Sequence, residues 1–73
     1  MATGNSSAVQ TDTRTRLLRT SLTVFAHRDF DAVSVREIVD QAGANIAAIS
    51  YHFGGKQALY LATAEFLADA MLD

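Results

Sequence analysis

The stretch Ser34-Val35-Arg36-Glu37-Ile38-Val39-Asp40-Gln41-Ala42-Gly43-Ala44-Asn45-Ile46-Ala47-Ala48-Ile49-Ser50-Tyr51-His52-Phe53 carries two short apolar patterns on either side of one glycine. Ser34 and Glu37 have the spacing of a capping box, in which each side chain satisfies the other residue's free backbone N–H at a helix start. Val35, Ile38, Val39 and Ala42 then mark the buried face of a short helix. Gly43 falls directly after Ala42, where a left-handed residue stops the helix and redirects the chain. Beyond the turn, Ile46, Ile49 and Phe53 recur at helical spacing, which predicts a second short helix with those three turned inward. Two short helices across a tight glycine turn form a helix-turn-helix unit, whose second helix can enter the DNA major groove. The remaining face is small or polar, as a helix lying between phosphates requires. It consists of Asn45, Ala47, Ala48 and Ser50, with Tyr51 and His52 at its end.

Downstream, Gly54-Gly55 breaks the pattern and Lys56 opens another helix, with Leu59, Ala62, Phe66 and Ala70 along one side. Leu61, Leu67, Met71 and Leu72 lie outside that stripe, more apolar surface than three short neighbours cover. They are expected to pack on chain beyond Asp73. Upstream, Asp12 can cap a first helix. Leu18, Leu22 and Phe25 recur along it at i, i+4, i+7, with Leu17, Ser21 and Val24 alongside, and it ends near His27–Arg28. Asp29-Phe30-Asp31 is a turn with Phe30 as its apolar plug. Residues 1–11 are small and polar and cannot offset their ordering entropy, so a flexible tail is expected there. No period-2 pattern persists anywhere. The expected fold is all-α: a three-helix, homeodomain-like helix-turn-helix head over residues 12–73, with the start of a fourth, connecting helix.

Composition narrows the function. A chain of 73 residues holds one small domain. Without cysteine there is no disulfide framework or thiolate metal site, and two His with no carboxylate cluster beside them give no metal site either. No apolar run approaches the ~18 residues of a membrane span, and the N-terminus lacks the regions of a signal peptide, so a cytoplasmic location is expected. The formal net charge of −2 at first argues against nucleic acid. It is, however, a sum over unlike regions. Residues 12–36 hold five Arg against Asp12, Asp29 and Asp31, whereas residues 37–73 hold only Lys56 against Glu37, Asp40, Glu65, Asp69 and Asp73. A phosphate-facing part and an acidic part can coexist in one small domain. Ser50-Tyr51-His52 superficially offers a nucleophile and a base, but close neighbours on a helix point in different directions, so an enzyme is not expected.

Taken together, Ser34-Val35-Arg36-Glu37-Ile38, Ala42-Gly43, Tyr51-His52-Phe53-Gly54-Gly55-Lys56 and Leu59 closely resemble the DNA-binding head of tetracycline-repressor-like (TetR/AcrR) transcriptional regulators. Phe25-Ala26 and Phe30 fit as well, and the resemblance covers about residues 14–66. In one respect the chain departs from the pattern. Most members carry a phosphate-contacting Tyr directly after the position of Ile49, where this chain has Ser50 followed by Tyr51. The run Asn45-Ile46-Ala47-Ala48-Ile49 with Tyr51-His52-Phe53 is similar to one subgroup. The resemblance implies sequence-specific binding to a near-palindromic operator in double-stranded DNA by a ligand-responsive repressor. It also implies a homodimer in the full-length protein, no cofactor in this head, and an effector that acts only through a C-terminal ligand-binding and dimerisation domain absent from these residues.

Each candidate DNA-binding residue has a plainer alternative. Arg36 suits a phosphate or a guanine edge, or is a solvated surface arginine. Asn45 can cap the third helix, contact a phosphate, or do both. Ala47 and Ala48 allow close approach and contact with a thymine methyl, or are simply good helix formers. Ser50 and Tyr51 can donate hydroxyls to phosphate, with Tyr51 alternatively packed on Leu59. His52 can meet a phosphate when protonated, or serve a structural role. Lys56 and the N–H groups of its helix start converge on one phosphate. The competing function is a helical protein–protein module that docks through the fourth helix and binds no DNA.

Overall fold

The computed structural model describes residues 13–72 in full, and of residues 2–12 only that they fall within the bounds of the first helix. The tail expected over residues 1–11 and the cap expected at Asp12 therefore lie outside the described residues. Four α-helices follow one another: α1 (Ala2–His27), α2 (Val35–Ala42), α3 (Ala47–His52) and α4 (Lys56–Leu72), with one 3-10 turn (Phe30–Ala32) between the first two. There is no strand among the described residues. α1 packs on both α2 and α4, and one cluster joins all four helices through Leu17, Val24, Val33, Ile38, Val39, Ile49 and Leu59. The all-α head and its helix order are as expected.

Local chemistry explains why α2 sits where it does. The Glu37 N–H donates to Ser34 Oγ at 3.2 Å, and the Ser34 N–H donates to Glu37 Oε1 at 3.2 Å, completing the capping box. A cap of this kind contributes about 1 kcal/mol. At the other end Gly43 adopts φ 70°, ψ 35°. The Ala44 N–H reaches Val39 O at 2.8 Å and the Gly43 N–H reaches Asp40 O at 3.3 Å, the bond pair of a Schellman stop. A Cβ at Gly43 would meet nothing within 4 Å, so only backbone strain opposes a side chain there. Gly43→Val is accordingly expected to destabilise the domain by about 1–2 kcal/mol. A thermal melt indistinguishable from wild type would show that the turn tolerates an L side chain.

A contact the sequence did not reveal closes the corner between α1 and α2. Arg28, the residue after α1, donates through Nη1 to Glu37 Oε2 and through Nη2 to Ala32 O at 2.6 Å. The hydrogen bond from Arg28, followed by that from the Ser34 backbone, holds the Glu37 carboxyl below its ordinary value. One arginine thus ties the end of α1, the 3-10 turn and the cap of α2 together. It also pairs across the boundary between the basic and acidic regions, so Arg28 does not belong with the cations available to an outside partner.

The helix faces differ from expectation in three places. On α1 the buried line is Leu17, Leu18, Ser21 and Val24, while Leu22 and Phe25 are only half-buried. The stripe is shifted because α1 serves two neighbours rather than one. On α3, Ile49 is buried and Phe53 half-buried, but Ile46 is exposed, since it precedes the helix and lies on its outer side. On α4 the inward line runs through Leu59 and Thr63, with Ala62 and Phe66 half-buried and Ala70 exposed. The buried Thr63 hydroxyl donates to Leu59 O at 2.7 Å, so it carries no unmet polar group inward. Leu61, Leu67, Met71 and Leu72 are exposed, in line with the apolar excess read from the sequence.

Candidate nucleic-acid interface

The outward side of α3 is built by its anchors. Ile49 fills the core, and Ala48 and Phe53 pack against the same cluster. With 3.6 residues per turn, that inward side leaves Ala47, Ser50 and Tyr51 together on the opposite face. All three are exposed, Tyr51 at 73 %. The alternative in which Tyr51 packs on Leu59 is therefore excluded. Ile46, missed as a candidate, is exposed on the same side, one turn before Ser50. Its spacing to Ser50 was the available signal.

Asn45 caps the helix through its side chain, for its Oδ1 accepts from the Ala47 N–H at 2.9 Å and its carbonyl accepts from the Ala48 N–H at 2.8 Å. Asn45 is still exposed, so the cap and an outside contact do not compete for space. Ala48 differs from the expectation that paired it with Ala47. It is half-buried and packs against the core cluster, on the side of α3 away from Ser50. His52 is half-buried too, between the rings of Tyr51 at 4.9 Å and Phe53 at 6.1 Å. Ser50 and His52, weighed earlier as nucleophile and base, thus lie on different sides of the helix. Arg36 is exposed on the first turn of α2.

Lys56 opens α4 directly after the turn that ends α3. In that turn Gly54 has φ 104°, a conformation open to glycine, and its N–H donates to Ile49 O at 2.9 Å. The chain therefore reverses within three residues, which brings the α4 start close to the end of α3. The Lys56 ammonium sits 4.3 Å from the centre of the Phe30 ring. Phe30 belongs to an aromatic group with Phe25 at 5.9 Å and Tyr60 at 5.1 Å, the plug that the sequence placed in this turn. An ammonium over a ring face keeps its charge and hydrogen-bond donors while losing freedom of movement. Arg14 on α1 makes a second contact of this kind, with its guanidinium carbon 5.1 Å from the Phe53 ring centre. The acidic side chains of α4 are remote from this end, as Asp69 lies about 20 Å along the helix from Lys56 at 1.5 Å per residue.

The arrangement is a short helix whose exposed face carries Ala47, Ser50 and Tyr51 with Ile46 beside them, followed by Lys56 and joined to its partner helix by a glycine stop. The model of the family described as bacterial regulatory proteins, tetR family, matches residues 17–63. The chain is 48 % identical over 54 residues to the HTH-type transcriptional dual regulator CecR of Shigella flexneri, covering 74 % of this chain and 24 % of that protein. It is 35 % identical over 51 residues to the "uncharacterized HTH-type transcriptional regulator YerO" of Bacillus subtilis, covering 70 % of this chain and 18 % of that one. The chain thus spans about a quarter or less of these relatives. No solved structure matches it significantly.

Proposed function

The chain belongs to the tetR family of bacterial regulatory proteins, and from that premise we propose that it reads a specific operator as the DNA-binding head of a ligand-responsive repressor. A DNA-binding role in transcriptional regulation is common to this family. α3 lies in the major groove with Ala47, Ser50 and Tyr51 toward the bases and nearer phosphates, and Asn45 beside them. Arg36 and Lys56 grip the backbone on either side, and His52 adds a phosphate contact when protonated. Ala48 supports the close approach from behind the reading face rather than from within it. In the full-length protein two such heads, paired as a homodimer in the cytoplasm, face half-sites of a near-palindrome one helical turn apart. A C-terminal domain senses the small-molecule effector.

The observation that carries this reading is the α3 face itself: three exposed small or hydroxyl-bearing residues, with the apolar anchors all on the other side. Lys56→Ala is expected to weaken binding to all duplex sequences alike and to lower the slope of log affinity against log salt by about 0.9, the value of one phosphate. An unchanged slope would remove Lys56 from the contact set. The exposed apolar residues of α4 favour a packing partner as well, and the same titration separates the readings. A protein-docking module would self-associate without regard to salt and leave DNA unbound.

A further inference from the structure

Arg14 lies three residues before the segment that the family model matches, and outside the helix-turn-helix unit altogether. We propose that Arg14 is an additional DNA-phosphate contact, held beside the end of α3 by the ring of Phe53. The inference rests on the DNA-binding reading above and adds to it a residue from α1.

Phe53 is well fixed as a seat. It is half-buried against the core cluster, and its N–H donates to Ile49 O at 2.9 Å. The Arg14 guanidinium carbon stands 5.1 Å from the ring centre, and the side chain is exposed. A guanidinium held over a ring still has N–H donors directed away from it, in the fork that suits a phosphate. Phe53 directly follows the last residue of α3, so the charge stands at the C-terminal end of that helix. Among the described residues no carboxylate forms an ion pair with Arg14. Arg28 shows the contrast, because its donors are engaged by Glu37 and by the Ala32 carbonyl. One arginine closes a corner of the fold, and the other keeps its donors for an anion from outside.

The test is a titration of the 73-residue chain with mixed-sequence duplex DNA over a series of salt concentrations. Arg14→Gln is expected to lower the salt slope by about 0.9 and to weaken binding on the order of tenfold near 0.1 M salt. Arg14→Lys retains the slope because it retains the charge. Arg14→Met keeps an apolar side chain over the ring and removes only the charge, so it serves if Arg14→Gln perturbs folding, which circular dichroism reports. A steep slope in wild type that is unchanged in both neutral variants overturns the inference while leaving the DNA-binding reading intact. A wild-type chain with no salt-dependent binding overturns that reading, and the role of Arg14 with it.

Discussion

Leu59→Ala is expected to lower the melting temperature of the domain by about 12–24 °C, the equivalent of about 3 kcal/mol in a chain of this size. Leu59 is fully buried, and it is the α4 residue of the core cluster to which α1, α2 and α3 all contribute. Its removal leaves a cavity that the neighbours cannot easily close. Val33, Ile38 and Val39 are held by the corner and cap, and Ile49 lies between the two glycine turns. A domain of ~60 residues buries only about 60 % of its unfolded surface, so a loss of this size is a large part of its total stability. Thermal unfolding followed by circular dichroism measures it directly. A shift of less than about 4 °C would mean that α4 is not seated in the core as described.

The second large effect falls on binding and leaves stability alone. Ala47→Glu is expected to reduce affinity for duplex DNA on the order of 100-fold, or about 3 kcal/mol, because it sets a carboxylate against phosphates at the centre of the reading face. Ala47 is exposed in the first turn of α3, where a negative side chain is compatible with the helix dipole, so the melting temperature should hold. Ala48→Glu makes the comparison decisive. That residue is half-buried against the core, and the same charge there should lower the melting temperature as well. If Ala47→Glu bound DNA like wild type, α3 would not be the element in the groove.

Which parts of this were legible in the sequence follows from the range of the interactions that build them. α2 was readable at both ends, because the Ser34–Glu37 box and the Gly43 stop are each complete within six residues. The start of α4 at Lys56 and its surplus of apolar side chains were readable for the same reason. The orientation of α3 was not. A helix of six residues makes fewer than two turns, so Ile46 and Ala48 could not be sorted by periodicity, and the structure exchanges their expected sides. α1 misled by a different route, since its buried line is set by two packing partners whose positions no local pattern encodes. The Arg28–Glu37 pair and the seats of Arg14 and Lys56 on aromatic rings are likewise tertiary. In the sequence Arg14 and Arg28 look alike. Only the fold separates the one that is neutralised from the one whose donors remain available.

The Schellman stop at Gly43 has a consequence for how such a head can change. The angle between α2 and α3 is fixed by backbone hydrogen bonds and one glycine, and α3 is fastened by Ile49 and Phe53 on its far side. The side chains of Ala47, Ser50 and Tyr51 are exposed, and none of them belongs to the core cluster. Those positions can be rewritten, by drift or by design, with little penalty to folding, so under the proposed function the preferred operator is free to diverge while the architecture presenting it stays constant.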